Sequence, residues 1–563
     1  MADATNAVGP PADEVSFAER RPSSFVDLVL FVAAVPAIVA ALVVAVGGFT
    51  WGLPGASHVQ SYHPDEQNIT YSLRNMNPRD FDFNPRFFGN PTFFTYQVGG
   101  LALASSALGV LPREMSKDYW LSHPEAVRRF YVLGRALSFV YACLAVLLIY
   151  ILTKRITSSN RAALIAAAVF VSLPVTAVHS HYMTVNASAV FWSLLAILYC
   201  VKICDRPSWP NYVLAALFAG LAVSTKMNNL FLPIAILVAH LSAEGQTPPW
   251  RRLFQSRIWA AAAVFSAAFF AGSPYYLLSY RSVRANPHNQ MNIRAVIDFS
   301  TPLATVLRDF ANHMTASCGW GFAVLLVAAL PAVFFLKNKR LRPLVAIALP
   351  FFLLGAKSGW WAFPSRLWPL LALLVIFLCV LADASRAAFR VPVSLLVALG
   401  LFATVPWNVA YARLIRGPHV REASSRWIES NIPAASSIIV LDTPYFDDPD
   451  VVYENALHAG RAEVKYDVVN LHGDFSRLKG TSGDWLVVPQ RFESILRART
   501  GQGIVSYAEE SGFELEVGFM CRFRAFGLTL RDWVPADMVQ NYPVYIFLRV
   551  PSPPPQNPAP HMP

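Results

Sequence analysis

The chain reads as a polytopic α-helical membrane protein with a small α/β domain at its C-terminal end, and three observations carry that reading. Of 563 residues, 55% are hydrophobic and only 14% are charged, where a soluble domain carries roughly 25% charged residues. Mean hydropathy is +0.40, and apolar runs recur from residue 25 to residue 411. Beyond residue 411 the runs shorten and charge rises.

A helix needs about 20 mostly apolar residues to cross the hydrocarbon core. The first run, 25–51, exceeds the ~7–15-residue core of a signal peptide and reads as an uncleaved anchor. Residues 1–24 before it are polar and Ala/Pro-rich and read as disordered. The next spans fall at 130–152, 162–178, 189–201, 212–223, 229–241 and 258–278. Those at 319–336, 344–356, 367–381 and 391–411 bring the total to about eleven. A further apolar stretch, 93–111, contains Gly, Ser and Thr and reads as an interfacial or re-entrant helix.

Lys/Arg bias sets the orientation. With Arg20-Arg21 cytoplasmic, the inside connections hold Lys154, Arg155 and Arg161, then Lys202 and Arg206, then Arg251, Arg252 and Arg257. KNKRLR at 337–342, Arg386 and Arg390 follow on the same face. The loops left outside are 52–129, 179–188, 224–228, 280–316 and 357–366. Residues 412–550 read as an α/β domain on that outer face, with a helix at 421–431 and strands at 436–441, 485–489 and 544–550. The Pro-rich tail 551–563 reads as disordered. No internal repeat is evident, which weighs against a secondary transporter.

The net charge of +11 is spread in short clusters between apolar runs, which argues against nucleic acid as a partner. Six cysteines, five of them in or beside apolar runs, form no disulfide framework. Cys200 and Cys204, four apart on a helix, read as small apolar fillers rather than metal ligands.

The outer loops hold the residues with chemistry. SYHPDEQNITYSLRNMNPRDFDFNPRFFGNP, 61–91, reads as a loop with adjacent carboxylates, Asp65 and Glu66. Like charges near lipid repel and are poorly solvated, which raises one of them towards a useful base. A solvated pair, or Asp65 as a helix cap, is the plainer reading of a bare dipeptide. His179 and His181 end the third span, where imidazoles bind a phosphate, orient a carboxylate or simply terminate a helix. An H-x-H pair also suits metal, but nothing completes a ligand set, so no metal or other cofactor is expected. Lys226 follows the fifth span and suits a lipid phosphate or snorkelling to headgroups. Arg366, before the tenth span, offers a fork for a phosphate, with Lys357 and the interfacial Trp360-Trp361 pair nearby. Arg74, Arg79, Arg86 and Asn90 are placed to order the first loop.

With these residues located, the sequence resembles the GT-C membrane glycosyltransferases, and among them bacterial members of the dolichyl-phosphate-mannose–protein mannosyltransferase family (glycosyltransferase family 39). The resemblance runs over about 25–550 and is carried by HPDEQ at 63–67 followed by FFGNPTFFTY, SHYMTVN at 180–186 and STKMN at 224–228. SPYYLL at 273–278, SRLWPLLALL at 365–374 and RWIESNIPAASSIIV at 426–440 complete it. It implies an inverting transfer from a polyprenyl-phosphate sugar to an acceptor hydroxyl of a lipid, glycan or protein. Asp65 is then the base or acceptor-orienting carboxylate with Glu66 its partner, and Lys226 and Arg366 hold the donor phosphate. His63, His179, His181, Asn186 and Asn90 are placed around the substrates. Asn186 departs from the family pattern, where Asp is frequent, which bears on the donor sugar. The implied site is the periplasmic face of a bacterial inner membrane. A lipid-linked-sugar flippase is the rival of another class and would need polar groups through the spans. A catalytically silent GT-C-fold assembly partner is the third reading.

Overall fold

The computed structural model describes residues 24–550 apart from 56–57, 59–60, 114–118, 120–122, 244–247, 298–299, 359–362, 386, 445–446, 458–463, 532–537 and 539–542. The two terminal segments, Arg20-Arg21, Trp360-Trp361 and Arg386 lie outside the described residues.

Each expected span falls on helix, although 162–178 is broken at Leu173 and 258–278 at Ser273. In chain order the helices are α1 (Ser24–Gly47), α2 (Pro64–Arg74), α3 (Phe93–Ala107), α4 (Pro124–Thr157), α5 (Asn160–Ser172), α6 (Pro174–His179) and α7 (Val185–Asp205). They continue as α8 (Trp209–Thr225), α9 (Leu232–Ser242), α10 (Ser256–Gly272), α11 (Leu303–Val333), α12 (Arg342–Lys357), α13 (Pro364–Ala384), α14 (Ala387–Arg416) and α15 (Val420–Asn431). Among the described residues, six helices are long and apolar enough to cross a membrane. Shorter apolar helices cover 160–172, 209–225, 227–242 and 256–272. The protein is a multi-pass membrane protein, with α13 buried along most of its length at the centre of the bundle.

The outer segments need correction. The start of the 61–91 stretch is not a loop, because 64–74 folds as α2. His63 caps it through Nδ1, which accepts from the Asp65 N–H at 3.2 Å, and Pro64 sits at the first helical position. That is a helix start written in residue types, and it puts the cap at His63 rather than at Asp65. Gly319 (φ 74°, ψ 163°) breaks α11 into two helical segments, so the span expected from Gly319 does start at that break, and a helical segment from Leu303 precedes it. The outer connection 280–316 is accordingly helical in part.

The basic connections at 154–161 and 337–342 meet acids of neighbouring helices. Asp205, at the end of α7, pairs with Arg155 at 2.8 Å and Arg340 at 2.7 Å, and Asp27 pairs with Arg161 at 2.6 Å.

The C-terminal domain is a five-stranded mixed sheet. Its strands are β1 (Ser437–Val440), β2 (Asp467–Asn470), β3 (Trp485–Pro489), β4 (Phe513–Phe519) and, last in the chain, β7 (Val544–Arg549). The spatial order is β2-β1-β3-β7-β4, parallel at β2-β1-β3 and antiparallel around β7. Between β4 and β7 runs a separate hairpin, β5 (Phe523–Ala525) and β6 (Leu528–Arg531). The helix and strands expected for this domain are present, while β2, β4 and the hairpin were not anticipated. The sheet buries apolar side chains on both faces: Ile439, Leu486 and Phe547 on one, Ile438, Val487 and Ile546 on the other.

Buried acids follow β1. Arg491 forks across Asp447 and Asp448, at 3.0 Å from the latter, and Arg421 pairs with Asp450. Burial, and after it the neighbouring Asp448 charge, pushes Asp447 above the usual carboxylate range although Arg491 opposes the rise. A carboxyl raised in this way holds its proton more tightly folded than unfolded. Its contribution to stability is therefore full in acid and is lost as pH rises through the folded value. Asp447→Asn, permanently neutral, should raise the melting temperature more at about pH 8 than at about pH 5. Equal shifts at both pH values, read by thermal unfolding in detergent, would contradict the assignment.

Candidate active site

The two adjacent carboxylates of HPDEQ part company in the structure. Glu66 turns inward and is fully buried, whereas Asp65 stays half-exposed. Arg135 of α4, itself fully buried, donates to Glu66 through Nε to Oε1 at 2.8 Å and Nη2 to Oε2 at 2.7 Å. Ser61 Oγ donates to Oε2, and the Met183 N–H donates to Oε1 at 2.8 Å. Burial alone would raise the Glu66 pKa; the Arg135 charge and hydrogen bonds, with His63 and Ser61, hold it below the usual carboxylate range. Arg135 Nη1 donates further to the carbonyls of Gly48, Phe49 and Trp51, at 2.8, 3.1 and 2.8 Å. One guanidinium thus ties together the end of α1, the start of α2, α4 and, through Glu66, the 180–184 turn.

Two glycines permit that convergence. A Cβ on Gly134 would lie 2.1 Å from Met183 Sδ, and one on Gly48 would lie 2.3 Å from the His181 ring. Arg135 was missed by sequence reasoning. A lone arginine inside the apolar run 130–152 was the available signal, since an ionisable group within a span marks a site by default.

Asp65 keeps its carboxylate at the edge of this assembly. Among the described residues its side chain takes one hydrogen bond, a long one from Asn68 Nδ2 at 3.5 Å. His63 is buried, its ring 4.3 Å from that of Tyr182, and its Nε2 has no partner among the described residues.

The turn between α6 and α7 brings the remaining expected residues close. His179 and His181 are fully buried on either side of Tyr182, whose ring lies 6.2 and 4.3 Å from theirs. Burial, followed by the Arg135 and His179 charges, pushes the His181 pKa well down. Asn186, in the first turn of α7, accepts from Lys226 Nζ at 2.7 Å and donates to Thr184 Oγ1 at 3.0 Å. Lys226 Nζ also reaches the Ser365 carbonyl oxygen at 3.4 Å and Oγ at 3.5 Å. Ser365 precedes Arg366 in the first turn of α13, and the half-buried Arg366 guanidinium lies 5.7 Å from the Phe363 ring. Asp65, Glu66, His63, His179, His181, Asn186 and Lys226 are therefore joined through Arg135 and the 180–186 turn, with Ser365-Arg366 behind Lys226.

Asn90 stands apart, half-buried before α3, and among the described residues it makes no hydrogen bond to this group. The loop before it is ordered by Arg86, which donates to the Asn75 carbonyl and pairs with Asp82. Among the described residues, no group of three or more His, Cys, Asp or Glu is arranged to hold a metal ion. Cys200 and Cys204 are buried thiols at apolar positions.

The C-terminal domain closes over the same end. Tyr62 lies 4.0 Å from the His419 ring and under the Arg421 guanidinium at 5.0 Å. The Tyr182 hydroxyl donates to the Met538 carbonyl at 3.0 Å.

Residues 132–277 match the profile of the dolichyl-phosphate-mannose-protein mannosyltransferase family. Over that quarter of its length the chain is similar to a membrane mannosyltransferase family. That segment contains Arg135, His179, His181, Asn186 and Lys226, while Asp65, Glu66 and Arg366 lie outside it. No curated protein matches the chain. Among solved structures it is similar to the archaeal oligosaccharyltransferase AglB from Archaeoglobus fulgidus in complex with an inhibitory peptide and a dolichol-phosphate, at 13% identity and a TM-score of 0.46, over 84% of this chain and 70% of that one. It is also similar to ArnT from Cupriavidus metallidurans bound to undecaprenyl phosphate, at 14% identity and a TM-score of 0.46, over 93% of this chain and 98% of that one.

Proposed function

We propose that this mannosyltransferase-like chain is an integral membrane glycosyltransferase that moves a sugar from a polyprenyl-phosphate donor to an acceptor hydroxyl, with inversion at the anomeric carbon. The observation that carries the reading is the division of labour within HPDEQ: Glu66 is locked by Arg135, and Asp65 is left half-exposed at the same end of the bundle as Lys226.

In this reading Asp65 accepts the acceptor hydroxyl's proton as its oxygen attacks the anomeric carbon, and the sugar–phosphate bond breaks on the opposite face. Lys226 and Arg366 meet the phosphate and offset the charge it gathers as it leaves. Glu66 is a positioning residue, holding the first turn of α2 against Arg135 and the Met183 N–H. His63, His181 and Asn186 line the approach to the donor sugar, and His179 holds the Asn186 amide from behind at 3.5 Å. The face carrying these groups is the periplasmic side of a bacterial inner membrane, opposite the basic connections gathered at Asp205. The unit 25–411 is the transferase domain with its catalytic loop in 52–129, and 412–550 is the periplasmic domain over it.

The class is tested with purified protein, a panel of radiolabelled polyprenyl-phosphate sugars and a membrane extract. Label should move to an extractable lipid, a glycan or a protein band. Label that crosses a vesicle bilayer without transfer would favour a flippase, and label that stays on every donor a silent partner. The anomeric configuration of the product tests inversion separately.

Asn186 makes a prediction of its own. Lys226 Nζ rests on a neutral amide oxygen at 2.7 Å. Asn186→Asp puts a carboxylate there, and the ion pair would compete with the donor phosphate for the ammonium. The donor KM should rise about tenfold or more, the worth of one charge-assisted hydrogen bond, with a smaller change in kcat. An unchanged KM would remove Lys226 from the phosphate site.

A further inference from the structure

The β5–β6 hairpin belongs to the C-terminal domain by sequence and to the helical bundle by packing. Phe523 and Ala525, on one face of β5, are buried within the core of the apolar helices. The Phe523 ring lies 5.4 Å from Trp407 and 4.7 Å from Tyr411, near the end of the apolar part of α14. Arg531, at the end of β6, donates to Asn312 Oδ1 at 2.9 Å and Thr315 Oγ1 at 2.8 Å on α11. The hairpin is therefore seated at one end of two spanning helices.

The other side of the hairpin faces away from the protein. Arg522 and Arg524 alternate with the buried residues and are exposed. At the tip, Phe526 is 64% exposed and Leu528 68% exposed. Phe526 has φ +51° and Gly527 φ +83°. A two-residue turn with both central residues left-handed favours Asn or Gly at the first of them. This chain places an exposed phenylalanine there, in a backbone region costly for a bulky side chain. Water gives that choice no reward. The helices beneath supply the context: Trp320 and Val324 on α11, and Leu399 and Phe402 on α14, are exposed apolar side chains suited to lipid.

We propose that the hairpin tip is seated in the lipid headgroup region of the leaflet on the Asp65 side, beside α11 and α14. Phe526 and Leu528 enter the boundary of the acyl chains, and Arg522 and Arg524 meet lipid phosphates. Aromatic and aliphatic tips flanked by arginine are the chemistry of an interfacial anchor. The hairpin then holds the C-terminal domain down at the membrane independently of any transfer reaction.

The test is photocrosslinking in a bilayer disc of phosphatidylethanolamine and phosphatidylglycerol. Benzoylphenylalanine is placed at Phe526 or Leu528, and for comparison at Glu509, an exposed residue of the same domain on the helix Ile504–Glu510. After irradiation, phospholipid-mass adducts on the chain are expected at 526 and 528 and at background only at 509. Adducts at 526 and 528 no more abundant than at 509 would overturn the proposal. So would crosslinks from the tip to a second copy of the chain in place of lipid. Using two tip positions keeps the result readable if one substitution disturbs the turn.

Discussion

Arg135→Met should cost the protein about 3–5 kcal/mol, the usual consequence of removing one partner of a buried ion pair. The methionine would leave Glu66 charged and fully buried, with only Ser61 and the Met183 N–H to hold it. It would also strip the carbonyls of Gly48, Phe49 and Trp51 of their donor. The measurement is the melting temperature in detergent, where a large fall or a failure to accumulate folded protein is expected. The double variant Arg135→Met, Glu66→Gln should recover part of the loss, because the buried charge is gone. Arg135→Lys should not fully restore wild-type stability, because an ammonium cannot donate in a fork to Glu66 while also meeting three carbonyls. A wild-type melting temperature in Arg135→Met would show that Glu66 is not held as described.

Asp65→Asn is expected to do the reverse: lose the reaction and keep the fold. The change removes one charge from a half-exposed side chain with a single long hydrogen bond, so the melting temperature should barely move. The loss of a favourable charge in the first turn of α2 costs at most about 1 kcal/mol. If Asp65 is the base, kcat should fall by roughly 10²–10⁴, the usual contribution of a positioned general base, with the donor KM near wild type. Glu66→Gln is the companion variant and should show its damage in stability first. Full transfer activity in Asp65→Asn at normal expression would end the base assignment. Opposite phenotypes for the two adjacent acids, one in activity and one in stability, are what the proposed roles predict.

The sequence by itself determined that this is a multi-pass membrane protein, and it singled out most residues of the candidate site, Arg135 excepted. Apolar runs of spanning length and Gly, Pro and charge at their ends are local signals, so each of the expected spans was legible. Short β-branched runs such as SSIIVL and WLVVP likewise announced β1 and β3 for the same reason. Two of the basic connections read onto one face, through Arg155 and Arg340, do meet at Asp205. What stayed hidden was set by contacts distant in the chain. Asp65 and Glu66 are neighbours of the same type, and nothing local distinguishes them. Their fates diverge because Arg135, 69 residues on, and the Met183 N–H, 117 residues on, both aim at Glu66. The hairpin's allegiance to the bundle has the same origin, since Phe523 meets Trp407 and Arg531 meets Asn312 only in three dimensions. Burial in a membrane follows from local composition. The pairing of buried charges follows from which helices lie side by side, and only the tertiary structure decides that.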